Sequence, residues 1–350
     1  MLSEAATVKG QGVLSAYEEQ VKLVSEGLED FQVFVNKKMH ADITHYHTLN
    51  PTFFLSIPSM KKHGTTVGYV HFLPETVDTS LRLPKIAKWV FYRYMLKFYK
   101  SMDHLVVVNP YFIDVLERYG VDRNKVTYIP NFVSDKEFYP IEKSKKGHLR
   151  RKYGLDPNKF TVVCAGQLQT RKGIFDFVEI AKSMPHMQFA WAGDFAFGNI
   201  SDGHRDIQKI LYAPPPNLKF LGLVERKYMN EVFNLGDVMF LPSYEELFPM
   251  TILESMNCRI PMLLRDIDLY KNILFDYYLR GSNNQEFIDI LNRLQNEPEY
   301  YEQACALSWK GHEFYHKDHV LSMWKDFYTR ISDERLNSNK AKGSSDHNVS

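Results

Sequence analysis

Leu241-Pro-Ser-Tyr-Glu-Glu-Leu-Phe-Pro-Met-Thr-Ile-Leu-Glu-Ser-Met-Asn-Cys258 is the stretch from which the rest of the chain can be read. It follows the apolar run Val238–Leu241, which reads as a buried strand. A turn comes next, and a helix is expected from about Phe248. Pro249 suits the first helical turn, where its missing N–H costs nothing. The start of such a helix presents unpaired N–H groups and the positive end of a dipole, a seat for a diphosphate beside Phe248, Pro249 and Met250. Seven residues separate Glu246 from Glu254. The first then stands before the helix and the second almost two turns along it.

Strand, turn and helix form the repeating unit of a parallel sheet covered on both faces, and the unit recurs. In the first half the strand-like runs are Val33–Val35, Ile43–Tyr46, Thr66–Val70, His104–Val108 and Val126–Ile129. In the second they are Phe160–Cys164, Gln188–Trp191, Leu218–Leu221, Val238–Leu241 and Pro261–Leu264. Two such series predict an α/β chain of two doubly wound domains, 1–140 and 141–312. A helix over 313–332 is expected to cross back to the first domain. A Ser-, Asn- and Lys-rich tail, 336–350, reads as disordered. The charged stretch Glu142–Lys152 reads as part of a linker centred on 132–146. Only Met1 and Leu2 stand where an opening strand is expected, so that strand is very short or lacks residues; the second reading is preferred.

Composition narrows the function. The 350 residues are 44% hydrophobic and 24% charged with net charge +1, a globular balance without the excess of cations that draws a protein to nucleic acid. Cys164, Cys258 and Cys305 are far apart and form no zinc-type pair, which fits a reducing cytosol. No apolar stretch approaches the roughly 20 residues of a membrane span, so any lipid contact is expected to be peripheral.

A second loop carries charge. Ala165-Gly-Gln-Leu-Gln-Thr-Arg-Lys-Gly173 follows the strand ending at Cys164. Gly166 and Gly173 allow close backbone approach to a ligand. Arg171 and Lys172 are placed to offset a diphosphate and to stabilise it as a leaving group.

Glu246-x7-Glu254, followed by Ser-Met-Asn-Cys and Pro261, resembles the signature of retaining GT-B glycosyltransferases of family 4. The resemblance implies two Rossmann-like domains facing a cleft, no metal and no cofactor beyond the sugar nucleotide. It implies that Glu246 binds the donor sugar and Glu254 the ribose. The second loop is similar to the family's Gly-Arg-Leu-x-x-x-Lys-Gly: Lys172 matches the Lys, whereas Gln167 stands in place of the Arg, and Arg171 is expected to take part of that task. Lys9-Gly-Gln-Gly12 resembles the family's first glycine loop, with Gly12 against the donor phosphate or the acceptor. His71, at the end of the Thr66–Val70 run, matches the family's active-site His, and Tyr128-Ile-Pro-Asn131 its segment before the linker. Asp266-Ile-Asp268 has the form of a metal motif but reads as a turn, and His45-x-His47 has no third ligand at suitable spacing.

Residues 82–100 contain six cations and no acid. On a helical wheel Lys85, Lys88, Arg93, Lys97 and Lys100 share one half, with Trp89, Tyr92 and Tyr99 among them. Ala87, Val90, Phe91, Tyr94, Met95 and Phe98 share the other. Such a pattern fits an anionic membrane surface; a helix that covers its own sheet is the plainer alternative. Nearly the whole chain is similar to the bacterial subgroup of family 4 that builds diglycosyldiacylglycerols, notably in Ala5–Gly12, Gly166–Gly173 and Arg265–Leu279. That likeness implies transfer from UDP-galactose or UDP-glucose to glucosyldiacylglycerol at the inner face of the cell membrane. A family 4 enzyme for soluble or polyprenyl-linked glycans, and a non-catalytic membrane scaffold, are the competing readings.

Overall fold

A computed structural model describes residues 1–4, 12–37, 39–71, 73–74, 84–195, 203–246 and 248–345. Of the expected glycine loop, Gly12 alone lies within them, as the first residue of helix α1 (Gly12–Gly27). The chain forms two compact units, Met1–Phe132 with Lys317–Ser350, and Val133–His316. The first boundary falls ahead of residue 140 because the intervening segment pairs with the second unit. The Tyr139 and Ile141 amides donate to the side chains of Asn230 and Asn234, at 2.9 and 2.8 Å.

The first unit holds four parallel strands in the order β1 (Ile43–Tyr46), β2 (Thr65–Val70), β3 (His104–Val107) and β4 (Val126–Tyr128). Leu2 adds a one-residue parallel bridge beside Tyr46. Met1 also exchanges backbone hydrogen bonds with Phe34 and Asn36, at 2.8 and 2.9 Å. The chain thus steps from Leu2 to one side and returns to β1 on the other, which is double winding. Val33–Val35 is not a regular strand; of the residues before β1, Met1 bonds to this segment's backbone, at Phe34 and Asn36. Helices α2 (Pro51–His63), α3 (Lys85–Lys100) and α4 (Tyr111–Arg118) connect the strands. Val67, Val70, Val106 and Val107 are buried from water, the uninterrupted apolar run of a sheet covered on both faces.

The second unit has six parallel strands, β5 (Thr161–Ala165), β6 (Gln188–Ala192), β7 (Leu218–Gly222), β8 (Val238–Leu241), β9 (Met262–Arg265) and β10 (Leu279–Gly281). Their order across the sheet is β10-β9-β8-β5-β6-β7. Helices α5 (Lys143–Lys152), α6 (Ile174–Ser183), α7 (His204–Tyr212), α8 (Arg226–Leu235), α9 (Met250–Asn257), α10 (Asp268–Lys271), α11 (Asn284–Asn296) and α12 (Pro298–Phe314) flank it.

Two expectations need correction. The charged stretch 142–152 is helix α5 rather than linker, because its cations have partners in the unit. Buried Arg150 donates to the Asp237 carboxylate at 2.6 Å and to the carbonyls of Leu235 and Lys159 at 2.9 and 3.0 Å. The last helix, α13 (Lys317–Ser345), continues through residues expected to be a tail. Arg335 fastens its later turns by donating to the Lys61 carbonyl at 3.0 Å. Trp324, Phe327 and Tyr328 on its earlier turns are buried.

Candidate active site

In the second unit the chain runs β5-β6-β7 to one side and then crosses back to lay β8-β9-β10 on the other. Strands β5 and β8 are therefore neighbours at the point where the order reverses, and loops leaving their carboxyl ends flank one crevice. Open α/β sheets bind ligands at such a switch point. The two loops singled out in the sequence, 166–173 and 242–249, are those that leave β5 and β8.

The loops are tied together. The Tyr244 amide donates to the Arg171 carbonyl at 2.8 Å. Gly173 ends a single 3-10 turn, Thr170–Lys172, at φ 73°, and a Cβ there would lie 2.3 Å from the Pro242 carbonyl oxygen. Its glycine character thus serves a left-handed turn pressed against the neighbouring loop. A Cβ at Gly166 would meet ordinary contacts only within the protein, from the Lys172 side chain.

Within this frame Lys172 and Glu246 meet, with Nζ 2.5 Å from Oε1 and both side chains nearly closed to water. Burial pushes the Lys172 ammonium below its ordinary range, and the Glu246 carboxylate opposes that shift. Arg171 is aimed by Gln169, to whose side-chain oxygen its Nε donates at 2.9 Å, and its Nη1 lies 3.3 Å from the Glu245 carbonyl.

Helix α9 begins at Met250 and not at Phe248, because Pro249 holds an extended ψ of 124° as the N-cap. Glu254 is consequently about one turn along it. Its side chain is buried, and Oε1 accepts from Arg226 Nη1 at 3.0 Å. Arg226, the first residue of α8, also bonds the Glu137 carboxylate at 3.1 Å. Phe248 is buried against the Tyr315 ring, with centroids 5.3 Å apart.

Two residues of this site carried no local signal of their role. Arg226 lies 28 positions from its partner Glu254. Buried Arg265 ends β9; its guanidinium donates to the Pro242 carbonyl at 3.0 Å and to Asp176 at 3.0 Å and sits 3.9 Å from the Tyr244 ring centroid. It holds the β8 loop in shape. A lone cation closing an apolar strand was the available hint. Asp268 of the metal-like motif is exposed and pairs with Lys271 at 2.6 Å.

In the first unit His71 follows β2 and is buried, its ring stacked on Tyr69 with centroids 4.3 Å apart. Burial pushes its imidazole down to about 3, so it is neutral at physiological pH. Its Nε2 has no hydrogen-bond partner among the described residues. A cavity of about 230 Å³ lies beside it, lined among others by His47, Asn50, Tyr69, Phe91 and Tyr99.

Phe91 and Tyr99 belong to α3. The second half of this helix is core: Met95, Phe98 and Tyr99 are buried, so Tyr99 does not accompany the cations as expected. The first half is otherwise. Ile86 is 80% exposed, Trp89 60% and Val90 53%. Arg93 stands over the Trp89 ring at 5.0 Å, and Lys97 over Phe54 at 5.8 Å. Among the described residues no helix is long and apolar enough to cross a membrane.

Residues 145–305 match glycosyl transferases group 1, and residues 32–137 match glycosyltransferase family 4. The alpha-galactosylglucosyldiacylglycerol synthase of Streptococcus pneumoniae is 42% identical over 331 residues, covering 94% of this chain and 88% of that protein. The processive diacylglycerol alpha-glucosyltransferase of Acholeplasma laidlawii is 27% identical over 263 residues, covering 74% of this chain and 75% of that one. Anabaena HepE, solved in complex with UDP and glucose, superposes with a TM-score of 0.72 at 14% identity over 94% of this chain and 98% of its own, a likeness of fold. The chain belongs to glycosyltransferase family 4, has the GT-B fold, and within that family is similar to the diglycosyldiacylglycerol synthases.

Proposed function

We propose that this glycosyltransferase moves galactose or glucose from the UDP-hexose to α-glucosyldiacylglycerol, with retention, at the inner face of the cell membrane. The observation that carries the reading is the buried Lys172–Glu246 pair at the switch point of a chain 42% identical to the pneumococcal synthase. In this proposal Glu246 orients the donor sugar and keeps Lys172 charged against the cost of burial. Lys172, with Arg171 beside it, stabilises the diphosphate as the glycosidic bond breaks. The N-terminus of α9 at Met250, with Phe248 and Pro249 leading into it, faces the diphosphate, and Glu254 accepts from the ribose hydroxyls.

Neutral His71 has hydrogen-bonding capacity to offer a sugar hydroxyl, and the adjoining cavity, which His47 and Asn50 also line, is where the acceptor glucose would sit. That Phe91 and Tyr99 line the same cavity favours an acceptor arriving from lipid through α3. Glu246, held by Lys172, is in a poor state for a covalent nucleophile, so the proposed retention uses front-face attack rather than a glycosyl-enzyme. The acceptor oxygen then attacks from the face the diphosphate leaves, and the diphosphate takes its proton. No metal or cofactor enters the transfer.

Incubation with UDP-galactose or UDP-glucose and glucosyldiacylglycerol in anionic liposomes is expected to give a dihexosyl lipid with an α linkage. A β linkage would overturn retention, and transfer to a soluble glycan alone would overturn the acceptor. Glu254→Ala is expected to weaken UDP binding about 10- to 100-fold, the range for a lost bond to a charged group. Activity should fall in step, because the ribose contact is the same in ground and transition states. Unchanged UDP affinity by calorimetry in the folded variant would remove the ribose assignment.

A further inference from the structure

Asp135, His312 and His316 have no part in the transfer just proposed. One carboxylate oxygen of Asp135 and one ring nitrogen of each histidine lie within 4.8 Å of one another. Among the described residues no other three His, Cys, Asp or Glu side chains are gathered so closely. The cluster joins both ends of the second unit, since Asp135 stands two residues after its start at Val133 and His316 is its last residue. His312 is in the last turn of α12 and His316 follows just beyond its end.

We propose that these three side chains bind one divalent transition-metal cation, with zinc the class that two imidazoles and a carboxylate suit. The argument rests on how Asn257 holds them. Its Nδ2 donates to the Val133 carbonyl at 3.2 Å and to Asp135 Oδ1 at 3.3 Å, which fixes the orientation of the amide. Its Oδ1 then faces His312 Nδ1 at 2.8 Å. That nitrogen therefore carries the hydrogen, and the lone pair of His312 is on Nε2. An oxygen that holds one ring nitrogen and so leaves the other for a metal is the usual setting of a ligating histidine. The Trp309 ring, with its centroid 4.4 Å from that of His312, packs against the imidazole as well.

His316 Nε2 and Asp135 Oδ2 stand 3.0 Å apart and share a hydrogen. The cation takes the place of that hydrogen and accepts a lone pair from each atom, while the proton leaves to solvent. Tetrahedral bonds of about 2 Å put ligand atoms about 3.3 Å apart, so the His316–Asp135 pair is already close enough and the widest gap to His312 closes by up to about 1.5 Å. His316 is half-buried and lies beyond the end of α12, so it can make that movement. Water completes the coordination. Bound cation fastens Asp135 and His316 to α9, where Asn257 is three residues beyond Glu254, and its consequence is stability of the second unit.

The test is titration of the tag-free, EDTA-dialysed full chain with Co²⁺, followed by visible absorption. The expected result is a band that saturates at one equivalent, is displaced by Zn²⁺, and is lost in His316→Gln and in Asp135→Asn. Both substituted side chains are partly exposed, and cooperative thermal unfolding checks that the variants fold. Zn²⁺ should raise the unfolding temperature of the wild type alone. A wild type without a saturating band overturns the proposal with no variant needed. So does a band that both variants keep, or one that His63→Gln abolishes, since the exposed and stacked His40–His63 pair would then be the ligand.

Discussion

Lys172→Met is expected to lower kcat by two to three orders of magnitude, the usual cost of removing one preorganised donor from a developing negative charge. KM should change less, because leaving-group charge grows in the transition state. The same substitution should also destabilise the second unit. It leaves the Glu246 carboxylate closed to water without the ammonium that stands 2.5 Å from it. Breaking a buried pair from one side costs about 3–5 kcal/mol. A double variant, Lys172→Met with Glu246→Gln, separates the two roles. Removing both charges should restore most of the lost stability, as removal of both partners often does, while turnover stays low. Chemical denaturation and steady-state kinetics on the four proteins provide the measurement. A single variant turning over at near wild-type rate would transfer the diphosphate to Arg171. A double variant that regains turnover would show that Lys172 matters only as the counter-charge of Glu246.

That pair also marks the limit of what could be read in the sequence. Lys172 and Glu246 were each legible as site residues from their loops, but they are 74 positions apart, and nothing local says that one neutralises the other. The strands show where the signal is strong. Buried parallel strands are continuous apolar runs, and Thr161–Ala165 or Val238–Leu241 leave little choice. Leu279-Arg-Gly281 is too short and too polar for that signal, and it forms β10 only because β9 offers it an edge. Val33–Val35 had the composition of a strand and is not a regular one. The charge-rich helix α5 looked like linker because the acid that receives Arg150, Asp237, lies 87 residues away. The Lys172–Glu246 pairing and α5 were missed because of contacts distant in sequence, whereas the start of α9 at Met250 was missed for a local reason, the extended Pro249.

The helix over 85–100 yields the other large effect. Changing Lys88, Arg93 and Lys97 together to Ser is expected to release the protein from anionic vesicles. Each cation near an anionic leaflet contributes about 1 kcal/mol, so three together amount to about a hundredfold in partition. Wild-type binding should itself need anionic lipid and weaken with salt, since the Debye length shortens to about 3 Å at 1 M. A helix serving only to cover its own sheet predicts otherwise: its apolar residues would all be buried and its outward charges would matter little. The second half of the helix fits that description, with Met95 and Phe98 in the core, but the first half does not, since Ile86, Trp89 and Val90 face water. Exposed apolar side chains beside cations, with Arg93 over the Trp89 ring, form a surface suited to lipid headgroups and the chains beneath them. Trp89→Ser should therefore weaken binding in high salt, where the charges no longer contribute. UDP affinity should persist in the triple variant, because the proposed donor residues belong to the second unit. Activity on vesicle-embedded acceptor should fall with binding, whereas activity on a short-chain acceptor dispersed in detergent should survive. Sedimentation with anionic and neutral liposomes decides the matter, and equal pelleting of variant and wild type would rule the helix out as the membrane contact.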